Sequence, residues 1–188
     1  MNLSMPTDLA TPGLNSLDRA RRLADLWAER NLYCPNCALF TLKRVHGRVG
    51  EFRCSDCQYE FQMKARPARF GKSIDAGKFD AVTRALRDGR RAGYFLLRYE
   101  AKSWTIRDLL LVSAFAIPAS AIAKRAAGCH IVLDRIPSEG RIALVTTIKS
   151  ASPGGTECIM ISRPEGVREK FRRLKPRPPR KPSRSPKP

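Results

Sequence analysis

The sequence predicts a mixed α and β fold that contains a four-cysteine zinc ribbon. Apolar residues recur at helical spacing in residues 16–31, and apolar and polar residues alternate in residues 59–64. Two Cys-x-x-Cys motifs lie between these stretches. The chain has 188 residues, which is enough for one domain with a sizeable core.

The two cysteine motifs predict one structural Zn²⁺ site. Cys34 and Cys37 form the first motif, Cys54 and Cys57 form the second, and the 16 residues 38–53 separate them. This spacing is typical of four thiolates that bind one tetrahedral ion. Zinc is favoured over disulfides because each pair is too closely spaced for a comfortable bridge and because the chain resembles an intracellular protein.

Periodicity and turn residues predict the other elements. The first helix begins with Ser16 as its N-cap, and Gly89 ends the second. The predicted helices are residues 16–31, residues 75–88, a helix that starts at Pro118, and residues 164–174. The further predicted strands are residues 93–100, 106–113, 130–133 and 142–147. The remaining cysteines and the two histidines are expected to be buried thiols and polar fillers: Cys129, Cys158, His46 and His130.

Glu51, Gln62 and Lys64 form a candidate Mg²⁺ site. Alternation in residues 59–64 places Gln62 and Lys64 on one polar face of a strand, one pleat apart. Glu51 lies on a neighbouring strand, three residues before Cys54. Carboxylate and carbonyl oxygens suit Mg²⁺, and a lysine beside the ion stabilises charge on a phosphate. The same spacing also suits solvated side chains on a strand surface, so the pattern alone leaves both interpretations open.

The charge of the chain indicates a polyanionic partner. Lysine and arginine number 36 against 17 acidic residues, a net charge of +19. Nucleic acid is the simplest such partner, and an acidic membrane surface is the other candidate. The N-terminus lacks the pattern of a secretory signal, and we expect a cytoplasmic protein.

Seven stretches of the chain share their motifs with one enzyme family. They are residues 20–27, 33–37, 52–64, 74–77, 94–97, 136–142 and 164–171. These stretches resemble the nuclease domain of the DpnI-type methyl-directed type II restriction endonucleases, which cut adenine-methylated GATC sites in double-stranded DNA. The resemblance covers residues 16–174. It implies an α/β (α+β) fold of the PD-(D/E)XK type, a mixed sheet flanked by helices, with the zinc ribbon inserted.

The resemblance also implies roles for the candidate site. Glu51 and Gln62 would hold a catalytic Mg²⁺, and Lys64 would orient the attacking water. The family has Asp where Glu51 stands and Glu where Gln62 stands. Glutamine offers a carbonyl oxygen without charge, so the affinity for Mg²⁺ should fall, although Glu60 lies on the same predicted face.

The expected organisation has three parts. Residues 1–15 are a flexible lead, residues 16–174 are the zinc-containing nuclease domain, and residues 175–188 are a disordered basic tail rich in proline. By the resemblance, that tail stands where the family has a C-terminal winged-helix DNA reader. We expect a monomer that binds double-stranded, adenine-methylated DNA and no membrane.

Two main functional hypotheses follow from these observations. The leading one is a Mg²⁺-dependent type II restriction endonuclease that hydrolyses DNA at adenine-methylated, GATC-like sites. The alternative is a catalytically weak or inactive DNA-binding module with a structural zinc site, which Gln62 and the missing reader favour. A zinc ribbon that only binds other proteins ranks last, because it leaves Glu51, Gln62 and Lys64 unexplained.

Overall fold

Two β-sheets and three α-helices form the fold within the residues that the structure describes. The computed structural model describes residues 1–9, 12–37, 41–45, 51–89, 92–149 and 157–176. The helices are α1 (Ser16–Asn31), α2 (Phe79–Arg87) and α3 (Pro164–Arg173). The strands are β1 (Lys43–Arg44), β2 (Glu51–Arg53), β3 (Glu60–Arg66), β4 (Ser73–Gly77), β5 (Gly93–Glu100), β6 (Thr105–Val112), β7 (Ile122–Arg125), β8 (Gly128–Val132), β9 (Arg141–Lys149) and β10 (Glu157–Ile161).

The larger sheet is mixed, as the family resemblance implies. Its seven strands lie in the order β1-β2-β3-β5-β6-β9-β10. The β3–β5 pair is parallel and the other pairs are antiparallel. A smaller antiparallel sheet has the order β4-β8-β7.

Apolar layers cover both faces of the larger sheet. Phe95 and Leu97 of β5 belong to a core that includes Trp27 of α1 and Phe171 of α3. The alternate residues of β5 belong to a second core, which includes residues of the smaller sheet: Tyr94, Leu96, Ile74 and Ile131. The central strand is therefore buried on both sides, which explains its nearly continuous apolar sequence.

Helix α1 has the predicted bounds but a different cap. The Asn15 side chain accepts a hydrogen bond of 2.9 Å from the backbone N–H of Asp18, so Asn15 is the N-cap, and not Ser16. The predicted apolar stripe is buried, including Leu23 and Trp27. Asp25 of the same helix is also buried, at 2% exposure.

Two predicted helices are wrong in part. Residues 75–77 belong to β4, where Ile74 and Ala76 are buried in alternation, and α2 starts only at Phe79. Gly77 leaves the strand with φ +102°, in the left-handed region that favours glycine. No long helix starts at Pro118 in this described part of the chain, because a short 3₁₀ turn leads directly into β7, which pairs with β8.

Residues 3–5 pair with the chain at the start of β6. The backbone N–H of Ile106 donates to the Leu3 carbonyl at 2.7 Å, and the N–H of Met5 donates to the Trp104 carbonyl at 2.9 Å. Met5 is 4% exposed. This segment therefore pairs with the start of β6 through an antiparallel bridge between Ser4 and Thr105, a pairing that its short and irregular sequence does not signal.

The other predicted elements form close to their predicted bounds. β5, β6, β8, β9 and α3 lie where the sequence places them, and Gly89 follows α2 with φ +67°. His46 and most of the predicted basic tail lie outside the described residues. None of the described helices combines the length and the apolar character that crossing a bilayer requires.

The Phe171→Ala substitution should lower the free energy of unfolding by about 3 to 5 kcal/mol, because it leaves a cavity in the core. Phe171 is 0% exposed, and its ring centroid lies 5.6 Å from those of Tyr59 and Phe115. Denaturant-induced unfolding of the zinc-loaded protein measures the change. Met160→Ala is the matched control, since Met160 is 57% exposed; equal losses in the two variants would contradict this packing.

Candidate functional site

Four cysteine thiols form a cluster that can hold zinc. The Sγ atoms of Cys34, Cys37, Cys54 and Cys57 all lie within 4.8 Å of one another. Cys34 is 3.6 Å from Cys57 and Cys37 is 3.5 Å from Cys54, sulfur to sulfur. Tetrahedral zinc with Zn–S bonds of about 2.3 Å requires sulfur separations of about 3.8 Å. The donor set therefore fits the ion that the spacing predicts.

The second cysteine motif is the turn that joins β2 to β3. The N–H of Gln58 donates to the Cys54 carbonyl at 3.1 Å, and the N–H of Cys54 donates to the Tyr59 carbonyl at 3.0 Å. Gln58 adopts φ 57°, and its side chain donates to the Ser55 carbonyl at 2.7 Å. These bonds close a tight turn that presents Cys54 and Cys57 to the same centre.

The first motif follows α1 and contacts α3. The guanidinium of Arg168 lies 5.3 Å from the centre of the Tyr33 ring, and its Nε donates to the Cys34 carbonyl at 3.4 Å. Burial raises the pKa of Tyr33 to about 12, while the charge of Arg168 opposes that shift. The zinc cluster thus connects both helices to the β2–β3 turn.

The candidate Mg²⁺ residues lie together on one polar row, which we define as Glu51, Gln62 and Lys64. Glu51, the first residue of β2, is directly opposite Gln62 of β3 in the antiparallel register. Lys64 follows one pleat later on the same face of β3. All three side chains are half-buried. The hairpin therefore brings a carboxylate, an amide oxygen and an ammonium group to one place.

Lys64 stands in a partly desolvated, acidic setting. Burial lowers its pKa, and the negative charges of Asp75 and Glu51 oppose that shift. Lys64 and Asp75 both line a cavity of about 630 Å³, the Lys64 cavity, together with Asp25, Arg21 and Arg66. Gln62 lines a second, more apolar cavity of about 420 Å³, the Gln62 cavity, beside α2.

Glu60 is already engaged by a neighbouring charge. It lies opposite Arg53 in the β2–β3 register, and the two side chains form a salt bridge and hydrogen bond. The carboxylate of Glu60 therefore faces a cation of its own protein, one pleat away from Gln62.

The sequence did not single out two acidic residues that line the Lys64 cavity. Asp25 is buried and lies 3.6 Å from Arg44, nitrogen to oxygen. In the sequence, Asp25 comes three residues before Ala28, at the border of the apolar stripe of α1. This position beside the stripe is the feature of the sequence that indicates burial of Asp25. Asp75 belongs to the smaller sheet, and its position depends on a tertiary contact that periodicity does not reveal.

The two cysteines outside the cluster, Cys129 and Cys158, differ in burial. Cys129 is buried at 4% exposure, as predicted, and burial raises its pKa. Cys158 is exposed, so the prediction of a second buried thiol is wrong. It lies on β10, the last strand in the order of the larger sheet. His130 fills a half-buried position on β8, opposite Asp75.

A protein-family model matches most of the chain. The family model described as DpnI, Dam-replacing family, matches residues 1–155 of the 188. The matched stretch includes the four clustered cysteines and the whole polar row. The match therefore covers the parts of the chain that carry the candidate chemistry.

Replacing Cys57 with Ser should reduce the zinc content from one ion per chain to well below one, because three thiolates bind zinc much more weakly than four. Metal analysis of dialysed protein measures the stoichiometry. Cys158→Ser is the matched control, since Cys158 is exposed and lies outside the cluster. A full zinc content in Cys57→Ser would contradict the assignment of the ligands.

The affinity for zinc should fall as the pH is lowered from about 8 to about 6, because protons compete with the ion for the thiolates. Burial raises the pKa of Cys34 and of Cys54, so in the metal-free chain these thiols are protonated in this range and must release protons when zinc binds. Competition with a chromogenic chelator at each pH measures the effect. An affinity independent of pH would contradict binding through thiolates.

Proposed function

Since the chain belongs to the Dam-replacing family, we propose that it is a Mg²⁺-dependent type II restriction endonuclease that cuts adenine-methylated, GATC-like sites in double-stranded DNA. The family supports the coarser statement, a restriction-type nuclease that acts on methylated DNA. The single observation that carries the finer proposal is the register that sets Glu51 opposite Gln62, with Lys64 one pleat away. That geometry suits the metal-dependent active site of a PD-(D/E)XK nuclease.

The residues of the polar row divide the proposed chemistry among them. Glu51 and the amide oxygen of Gln62 would hold Mg²⁺, which prefers oxygen ligands and supplies charge stabilisation when it is bound. The ammonium group of Lys64 would orient the attacking water and stabilise the charge that develops on the phosphate. Lys64 is buried enough for its pKa to fall, so its charge acts in a medium less polar than water.

The surroundings of the Lys64 cavity suit a DNA backbone. Arg21 of α1 and Arg66 at the end of β3 line the cavity. The loop after β3 carries Arg69 and Lys72, and the guanidinium of Arg66 lies 4.4 Å from the centre of the Phe70 ring. Cations on both sides of a cavity neutralise phosphates and add salt-dependent affinity for nucleic acid.

We also propose that the chain divides into an N-terminal lead (residues 1–15), a zinc-containing nuclease domain (residues 16–174) and a basic tail (residues 175–188).

A DNA-binding module without efficient cleavage is the second candidate, and Gln62 favours it. Gln62 adds no negative charge to the polar row, and the salt bridge with Arg53 already uses the charge of Glu60. A protein of this kind would bind DNA through its basic surface and leave it intact.

Lys64→Ala should lower the rate of plasmid cleavage at least about 100-fold, because it removes the group that stabilises the charge on the phosphate. The assay uses adenine-methylated and unmethylated supercoiled plasmid, with Mg²⁺ or with Ca²⁺ in its place. Substituting the ion is sharper than adding a chelator, which would also remove zinc. Lys102→Ala is the matched control, an exposed lysine in the turn after β5.

The pattern of cuts decides between the candidates. Mg²⁺-dependent cuts confined to methylated plasmid, lost in Lys64→Ala and kept in Lys102→Ala, support the restriction endonuclease. Cuts on both plasmids support a nuclease whose activity does not depend on adenine methylation. Intact plasmid together with a normal gel shift supports the binding module.

A further inference from the structure

The smaller sheet brings a second carboxylate to the polar row. Asp75 of β4 lines the Lys64 cavity together with Lys64 and Ser73. The next residues of β4, Ala76 and Gly77, line the Gln62 cavity together with Gln62. Residues of β3 and β4 therefore line the same two cavities, although the two strands belong to different sheets.

Asp75 and Lys64 share one cavity of about 630 Å³. The side chain of Asp75 is exposed, so a solvated ion can reach it. Asp75 therefore offers its carboxylate to an ion that enters the Lys64 cavity.

The net charge of the polar row favours a second carboxylate as a ligand of the cation. Glu51 contributes one negative charge, Lys64 contributes one positive charge, and Gln62 contributes none, so the row is neutral as a whole. A hard divalent cation is held by oxygen ligands, and its affinity rises with their negative charge. A neutral row that includes an ammonium group is a poor site for such an ion unless another carboxylate joins it.

We propose that Asp75 is a ligand of the divalent cation and supplies the carboxylate charge that Gln62 lacks. The proposal rests on the proposed function, since it concerns the same cation. Glu51 and Gln62 bind the ion from the β2–β3 hairpin, and Asp75 binds it from β4. Before the ion binds, the four side chains Glu51, Gln62, Lys64 and Asp75 then have a net charge of −1. The bound ion connects the larger sheet to the smaller one.

Binding of Mn²⁺ tests this assignment without DNA. Free Mn²⁺ is followed by electron paramagnetic resonance during titration of the zinc-loaded full chain. Asp75→Asn should weaken binding roughly tenfold, because it removes one ligand charge next to a dication. Asp134→Asn is the matched control with the same charge change, since Asp134 is exposed and lies outside both cavities; its affinity should equal that of the wild type.

A Lys64→Met background separates direct ligation from an effect exerted through Lys64. If Asp75 binds the ion, Asp75→Asn weakens Mn²⁺ binding in this background as well, and Gln62→Glu restores part of the affinity lost in Asp75→Asn. A loss seen only when Lys64 is present would overturn the proposal, because Asp75 would then act by positioning the lysine. An unchanged affinity in Asp75→Asn would also overturn it.

The titration and the plasmid assay can fail separately. Mn²⁺ binding that depends on Asp75, in a protein that leaves DNA intact, keeps this inference and removes the nuclease function. Mg²⁺-dependent cleavage with Mn²⁺ binding unaffected by Asp75→Asn keeps the function and removes the inference.

Discussion

Four cysteine thiols hold the turn between β2 and β3, and the arrangement of the polar row follows from that turn. Cys54 comes directly after β2, and Cys57 comes three residues before β3. A slip of one residue in a β pair moves every side chain to the opposite face. A zinc ion bound by the cluster fixes the turn, and the turn fixes the register in which Glu51 faces Gln62. Zinc at the cluster would thus support the arrangement of the polar row from outside it.

The same cluster links the layers of the domain. Tyr59, two residues after Cys57, packs with its ring centroid 4.9 Å from that of Phe61 in β3 and 5.6 Å from that of Phe171 in α3. Cys34 follows α1, and its carbonyl accepts a hydrogen bond from Arg168 of α3. Helices distant in sequence therefore meet at the zinc cluster, and the core on this face of the sheet is continuous with it.

Hydrophobic periodicity and motif spacing predict those helices, strands and metal ligands whose positions depend on residues close to one another in the sequence. The bounds of α1, β5 and α3 could be predicted because each has one clear period and a marked end, and the zinc ligands because their spacing is specific. The sequence predicts a helix over residues 75–88, whereas residues 73–77 form β4, because the burial of Ile74 and Ala76 in the core between the two sheets decides their conformation. For the same reason the sequence led to Glu51, Gln62 and Lys64 but not to Asp75, which reaches the site through the contact between two sheets.

The most direct test of this account is a crystal structure of the zinc-loaded protein soaked with Mn²⁺, with the ion located by its anomalous scattering. The account predicts a peak in contact with the carboxylate of Glu51 and the amide oxygen of Gln62, on the side of the row that faces Asp75, in addition to zinc at the four cysteines. Zinc in its place with no Mn²⁺ at the polar row, or Mn²⁺ bound only elsewhere, would contradict the account.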